Sequence, residues 1–526
     1  MNADEDRGSV LMEELLHFAV QNKLIEESDV VFMRNRLMDL LEIREPLAHP
    51  EEVWDKTEVP EYATPILEKL LDYCYEKGIL KENTQTRRDL LDTRIMGLLL
   101  PRPSEIIRKF KDIRRRDGIR AATEYFYCLC RKSDYIRMDR IAKNRKWDYK
   151  SSFGNLNITI NLTKPEKDPR EIAALKSAPQ SGYPKCLLCP ENEGYAGRID
   201  HPARQTHRTL PLDLCGETWY FQYSPYVYYN EHCIVLKEKH VPMKLTRETF
   251  DRLFQFLGIF PHYFIGSNAD LPIVGGSILN HDHFQGGRSV FPMEKAREEY
   301  SLACDGFPDV QAAVVHWPMS TLRLRSSDPE KLGDLAFRIL TAWRKYSDPE
   351  REILAFTTDP EGNRIPHNTI TPIARRKPDE GFELDLVFRN NRTSEKYPLG
   401  IFHPHSALHH IKKENIGLIE VMGLFILPGR LQKELGSLKE YLTGTARERV
   451  DRMDDPEHPL HSHSTWIREL ISHYGNSLSE PEAESVLKNE VGAVCQQVLT
   501  DAGVFKVTSD GRNGLDHFLA TVGLHR

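Results

Sequence analysis

The period of the apolar pattern changes near residue 155, and that change constrains the fold more than any other feature of the chain. Upstream, apolar residues recur at helical spacing. From there on, Leu156, Ile158, Ile160 and Leu162 alternate strictly with Asn157, Thr159 and Asn161. Successive side chains of an extended backbone point to opposite sides, so strict alternation predicts a half-buried strand. Among the upstream helices, Thr64-Pro65 supplies an N-cap and a first-turn proline. Ile66, Leu67, Leu70, Leu71 and Cys74 then keep helical spacing until Gly78 ends the run. Downstream, YVYYNEHCIVL from Tyr226 to Leu236 is aromatic and β-branched and predicts hairpin strands. Phe250, Leu253, Phe254 and Leu257 return to helical spacing; Leu470, Ile471, Val486, Leu487 and Val491 predict a helical tail. The expected class is α+β, with a helical N-terminal region over 1–150, a mixed core from 151 to 440 and a helical C-terminal region over 441–526.

Charge narrows the function classes. Lys and Arg total 71 against 78 Asp and Glu, a net charge of −7 in 526 residues, which argues against a protein built to hold a polyanion. Arg108, Lys109, Lys111, Arg114, Arg115 and Arg116 surround the apolar stripe Ile106, Ile107, Phe110 and Ile113, and a solvated helix face explains them. A non-catalytic module using that helix on nucleic acid would show salt-sensitive binding instead. No apolar run reaches the roughly 20 residues that span a bilayer, and the acidic start carries no hydrophobic signal core. A cytoplasmic protein without a membrane or nucleic-acid partner is expected. Of nine cysteines, Cys74, Cys128, Cys130, Cys215, Cys304 and Cys495 lack metal-like spacing and read as reduced thiols.

The chemistry concentrates in Asp270 to Gly287, DLPIVGGSILNHDHFQGG. Val274, Ser277, Ile278 and Leu279 predict a strand, and the glycine pairs 275–276 and 286–287 let backbone approach a ligand closely. On an extended chain His281, His283 and Gln285 share a face. Two imidazoles beside a carboxamide suit attack on phosphorus: a neutral imidazole forms a phosphoramidate, and an amide donates to the non-bridging oxygens. Gln285 cannot be a general acid, and a phosphate leaving group, with a second pKa near about 6, needs none. Elsewhere, Cys186-Leu-Leu-Cys189 has the spacing of a zinc half-site, with His232, His240 and His281 as possible completers.

That eighteen-residue stretch closely resembles the signature of the class II galactose-1-phosphate uridylyltransferases, the Firmicutes-type branch of the histidine-triad superfamily. Leu24 to Val30, Arg94 to Pro101, and FHPHSALHHIKKENIGLIEVMGLFILPGRL from Phe402 to Leu431 resemble the same family. The resemblance implies a duplicated histidine-triad-like antiparallel sheet core, with a catalytic half over 151–300 and a second, degenerate half over 301–440. It implies an enzyme that moves UMP between UDP-glucose and galactose 1-phosphate in galactose catabolism, with His283 as the uridylylated nucleophile and Gln285 steadying the α-phosphoryl group. Histidine-triad hydrolases commonly carry a third histidine where this chain has Gln285; a nucleotide-sugar or dinucleotide phosphorylase is the other reading within the superfamily. By analogy with class I relatives, Cys186, Cys189, His240 and His281 would hold a structural zinc. Asn268 and Ser277 would serve uridine and phosphate, Glu420 the sugar hydroxyls, and Arg288, Arg389 or Arg392 the sugar phosphate. A homodimer is expected. His403-Pro404-His405 imitates the catalytic motif, but Ala407 stands where its glutamine would be, so 403, 405, 409 and 410 read as core or surface histidines rather than a second metal site.

Overall fold

The computed structural model describes residues 3–162, 182–276, 278–378 and 381–526, which fall into two compact units. The first holds residues 1–143 and 163–240, the second 144–162 and 241–526.

In the first unit, the regular elements described before residue 143 are helical. The helix Thr64–Glu76 buries Ile66, Leu67, Leu70, Leu71 and Cys74, and Gly78 follows it with φ +76°. Its cap differs from expectation. Ala63 holds the N-cap position, and the Thr64 hydroxyl donates to Asp134 at 3.3 Å. The basic helix Pro103–Asp117 buries Ile106 and Phe110 and leaves its cations exposed, Arg115 paired with Asp112 and Arg116 with Asp117. That is a solvated face, as the net charge suggested.

The sheet of this unit comprises Leu210–Leu214, Glu217–Tyr223 and Cys233–Lys237, antiparallel throughout. Residues 226–232 are therefore the connection, not strand. Ser224 N donates to the His232 carbonyl at 2.8 Å, closing the loop, and Val227 and Glu231 take positive φ. The aromatic residues that suggested a strand stack on one another instead, Tyr226 on Tyr228 and Tyr228 on His232. Helix meets sheet through Phe126, whose ring lies 6.1 Å from Phe221 and 5.4 Å from Tyr223, and through Tyr135, whose hydroxyl donates to the Tyr223 carbonyl at 3.1 Å. Each such buried ring contributes about 1.5–3 kcal/mol of apolar burial.

In the second unit, strands run in the order Leu524–His525, Glu298–Cys304, Gln311–Val315, Thr321–Ser326, Gly381–Asn390, Asn368–Lys377, Phe264–Gly266 and His283–Gly287, each pair antiparallel. The helices Arg247–Ile259 and Pro329–Trp343 pack on this sheet; Phe250, Leu253, Phe254 and Leu257 form the buried stripe their spacing predicted. The alternating segment forms Gly154–Asn161, antiparallel to Arg145–Ser151 and parallel to Leu424–Pro428. Leu156, Ile158 and Ile160 are buried as expected, but Thr159 and Asn161 are buried too. The strand is covered on more than one side, by Pro292–Lys295 and Glu480–Ala502. At the tail, Leu470, Leu487 and Val491 are buried in helices Ser464–Tyr474 and Glu480–Ala502.

The central strands bury charge. Asp385 accepts from Arg323 at 2.7 and 3.0 Å and from Arg375 at 2.9 Å, and Glu383 accepts from Arg325 at 2.7 Å. Burial works to raise the Asp385 carboxyl, but the two guanidinium groups overcome it and hold it down to about 2. Removing one partner of such a buried set typically costs about 3–5 kcal/mol. The molecule is thus α+β, and no helix among the described residues is long and apolar enough to cross a membrane.

Candidate active site

The strands Phe264–Gly266 and His283–Gly287 are neighbours, with Ile265 opposite Gly286 and Gly266 opposite Gln285. The described residues between them form a loop. Among the described residues of the segment from Val274 to Leu279, the predicted strand does not form; an isolated bridge pairs Ala269 with Gly275. The glycine pair explains why. A Cβ on Gly275 would lie 2.6 Å from the Ala269 carbonyl oxygen, and one on Gly276 would lie 2.6 Å from Asn268 Nδ2. These glycines let the loop fold onto its own groups. Asp270 anchors the loop, accepting from Leu245 N at 3.0 Å, from Arg344 at 2.9 Å and from the Thr369 hydroxyl.

The loop delivers His283 to the start of its strand with a defined tautomer. Its Nδ1 lies 2.8 Å from the His281 carbonyl oxygen. A carbonyl only accepts, so Nδ1 carries the proton and Nε2 keeps its lone pair. His283 is buried, and burial pushes its pKa down to about 4, against the bond to the His281 carbonyl. At neutral pH it is an uncharged imidazole, the form that attacks phosphorus. Gln285 follows two residues on in the same strand and is half-buried, so pleat geometry puts its side chain on the His283 side. His281 precedes the strand in a bend, so its place on that face does not follow from strand alternation.

Of the residues expected at the substrate end, Ser277 lies outside the described residues. Asn268 is buried, its Oδ1 accepting from Leu418 N at 2.8 Å. Glu420, in the short helix Leu418–Val421, accepts from Gly417 N at 3.2 Å and Lys412 Nζ at 3.1 Å. Arg389 is buried and donates to the Ile416 carbonyl at 2.9 Å, whereas Arg392 is occupied by the Glu352 carbonyl at 2.9 and 2.7 Å. The second histidine motif scatters. His405 stacks on Tyr397 at 4.1 Å and contacts the Ile401 carbonyl at 3.1 Å, His409 contacts the Pro404 carbonyl at 2.9 Å, and His410 meets His463 at 3.0 Å.

In the first unit, the Cys-x-x-Cys turn gathers thiol and imidazole donors. Cys186 Sγ and Cys189 Sγ are 3.5 Å apart, and Cys189 Sγ is 3.1 Å from His240 Nδ1. Leu188 N points at Cys186 Sγ at 3.4 Å. Beneath the turn, buried Asn192 donates to the carbonyls of both cysteines at 2.8 Å and contacts His201 Nε2 at 2.7 Å through its Oδ1. Sequence reading missed Asn192, although its place three residues after the second cysteine marks it. Burial, then Cys186, pushes the Cys189 thiol up to about 12. Two sulfurs and an imidazole nitrogen in this arrangement suit a thiophilic divalent cation such as zinc, whose charge stabilises thiolates. His232, the other candidate in this unit, packs instead against Tyr228 and Tyr229.

Family comparison agrees with the motif. Residues 23–242 match the galactose-1-phosphate uridyl transferase N-terminal domain, and residues 256–463 match its C-terminal domain. The chain belongs to this family. A galactose-1-phosphate uridylyltransferase from Caldanaerobacter subterraneus subsp. tengcongensis is 56% identical over 98% of both chains, and one from Bacillus subtilis (strain 168) is 46% identical over 97% of both. Among solved structures, yeast Ap4A phosphorylase Apa2 covers 65% of this chain and 92% of its own at 11% identity, with a TM-score of 0.30, too slight a likeness to bear on function. Arg389 and Lys412 both reach the turn that carries Glu420.

Proposed function

We infer that this chain transfers a uridylyl group between UDP-glucose and galactose 1-phosphate through a covalent uridylyl-His283. The observation that carries the reading is the His283 imidazole, neutral and protonated at Nδ1 by its bond to the His281 carbonyl, in a chain that matches family members over nearly its whole length. In the first half-reaction Nε2 attacks the α-phosphorus, a P–N bond forms, and the bond to the bridging oxygen breaks. Glucose 1-phosphate leaves with the electron pair. In the second, a phosphate oxygen of galactose 1-phosphate attacks the same phosphorus and the P–N bond breaks, restoring the lone pair on Nε2. The Gln285 amide donates to the non-bridging oxygens, where charge accumulates. No general acid is needed, because each leaving group is a phosphate or the neutral imidazole.

Cys186, Cys189, His240 and His281 are our assignment for zinc. Support comes from the three donors of the first unit and from the backbone bonds of the second: Asp282 N to the Val241 carbonyl at 2.8 Å, and Met243 N to the Leu279 carbonyl at 2.9 Å. They lay the His281 segment along the residues that follow His240. The ion would supply no chemistry beyond structure, fixing the residue whose carbonyl sets the His283 tautomer. Glu420 is our candidate for the sugar hydroxyls and Asn268 and Ser277 for the uridylyl end. The division into catalytic and degenerate halves is retained, supported by the loss of glutamine after His405, and a homodimer is the proposed assembly.

Mixing the protein with UDP-glucose alone tests the mechanism by intact mass. One uridylyl adduct per chain with equal release of glucose 1-phosphate, discharged by galactose 1-phosphate as UDP-galactose, supports it. Discharge by inorganic phosphate in preference to sugar phosphate would favour a phosphorylase, and steady conversion to UMP a hydrolase.

A further inference from the structure

Three consecutive residues, Ile416, Gly417 and Leu418, are each gripped by a different side chain. Arg389, from strand Gly381–Asn390, donates through Nη2 to the Ile416 carbonyl at 2.9 Å. Glu420 accepts from Gly417 N at 3.2 Å. Asn268, from the loop leading to the nucleophile, accepts from Leu418 N at 2.8 Å. Arg389 is 1% exposed and, among the described residues, has no ion pair; burial pulls its pKa down to about 10, and Glu420 is the charge that opposes the fall. A buried guanidinium that spends its bonds on a backbone carbonyl and the Thr371 hydroxyl, at 3.4 Å, is expensive to keep for packing alone. Its field falls on the carboxylate whose turn it holds. Lys412, 4% exposed and 3.1 Å from Glu420 Oε1, adds the second cation. The turn also packs closely at Gly417. A Cβ on Gly417 would lie 3.3 Å from Asn268 Oδ1 and 3.5 Å from Glu420 Oε2.

We propose that Arg389 is a positioning residue for sugar recognition: by clamping the Ile416 carbonyl, it holds the turn that aims the Glu420 carboxylate at the hydroxyls of the hexose 1-phosphate. Asn268 closes the clamp from the nucleophile's own loop, packed against Gly276 of the signature. The effect is indirect, since Arg389 itself is buried beneath the turn. The inference rests on the reading of Glu420 given above, and its test separates the two.

The experiment compares Arg389→Gln, Gly417→Ala, Glu420→Gln and the double variant Arg389→Gln/Glu420→Gln in the full-length protein. Two quantities are read: KM and kcat for galactose 1-phosphate, and discharge of the preformed uridylyl-enzyme by galactose 1-phosphate or by water. Misplacing a recognition group by about 1 Å costs roughly 10- to 100-fold, so Arg389→Gln should raise the KM by about that factor, and Gly417→Ala, whose Cβ presses less closely on Asn268 Oδ1, should raise it by less. Discharge by water, which involves no sugar, should stay at the wild-type rate. The double variant should be no worse than Glu420→Gln, because both changes act through one carboxylate. If Glu420→Gln is impaired while Arg389→Gln and Gly417→Ala keep wild-type sugar parameters, or if the double variant loses the product of the single effects, the clamp is wrong. If Glu420→Gln itself keeps a wild-type KM, the reading of Glu420 falls and the clamp with it. Should Arg389→Gln fail to fold, Gly417→Ala decides.

Discussion

Two His-x-His motifs of the second unit, 281–283 and 403–405, share a spacing, and the backbone makes them different objects. His283 begins a strand; its Nδ1 is spent on the carbonyl of the preceding histidine, which leaves the Nε2 lone pair for chemistry. His405 precedes the short 3-10 turn Ser406–Leu408, lies flat on Tyr397, contacts the Ile401 carbonyl through Nε2 and sits 3.3 Å from Asp501 through Nδ1. Both ring nitrogens of His405 are engaged by protein. Spacing alone therefore says little about nucleophilicity; what decides is which nitrogen the main chain occupies.

The sharpest way to break the comparison is to remove each histidine. His283→Ala should abolish the uridylyl adduct and lower turnover by about 10⁴-fold or more, as loss of a covalent nucleophile does. His405→Gln should leave adduct formation at the wild-type level and cost about 1 kcal/mol of stability in urea unfolding. An adduct on the His283 variant, found by peptide mapping at 405, would invert the assignment. The residue two places on gives the next largest effect. Gln285→Ala should slow uridylylation by about 10²-fold, as removal of one transition-state donor does, whereas Ala407→Gln should restore nothing to the second motif. A third effect lies behind the metal-ligand reading: Asn192→Ala removes the donor that ties both cysteine carbonyls and should weaken zinc retention by about 10- to 100-fold. Metal content after dialysis against a chelator would show it; unchanged retention would sink the role given to Asn192.

How much of this was legible in the sequence follows from range. The helical stripes at 66–74 and 250–257 are local patterns, and burial answers to them directly; the alternation at 156–160 marks the strand and its apolar side but not the burial of Thr159. Local pattern misled where composition imitated structure. Tyr226 to His232 has strand-like residues but forms a turn of stacked rings, and the first glycine pair of the signature serves a loop that folds on itself. The motif singles out His283 and Gln285 for the proposed chemistry because that chemistry draws on neighbouring positions in one segment. The supports around them are contacts between residues far apart in the chain: Asp270 with Arg344, Arg389 with Ile416, Asn268 with Leu418. Nothing in the spacing of one segment encodes a partner 150 residues away, as Leu418 is from Asn268.

The smallest effect probes the histidines that follow the second motif. His410 Nδ1 faces His463 Nδ1 at 3.0 Å, so the two rings share a proton, and His463 Nε2 lies 3.0 Å from Glu434, itself paired with Arg430. Burial, then His463 and Arg430, push the His410 pKa down to about 3, with Glu434 opposing. The unfolded chain binds this proton near the ordinary value of 6.5, whereas the folded protein resists it until far lower pH. In that window the unfolded state holds more protons, so stability rises with pH and falls as pH drops below the ordinary value, by at most about 1.4 kcal/mol per pH unit for this one group. His410→Asn removes the titrating group while keeping a polar side chain there. Its urea midpoint should therefore fall less steeply with acid than the wild type between about pH 6 and 4, with transfer activity at pH 7.5 intact. Equal slopes would mean that His410 is not held neutral by its surroundings, and the contrast between a catalytic and a structural pair of motifs would lose its acid-side support.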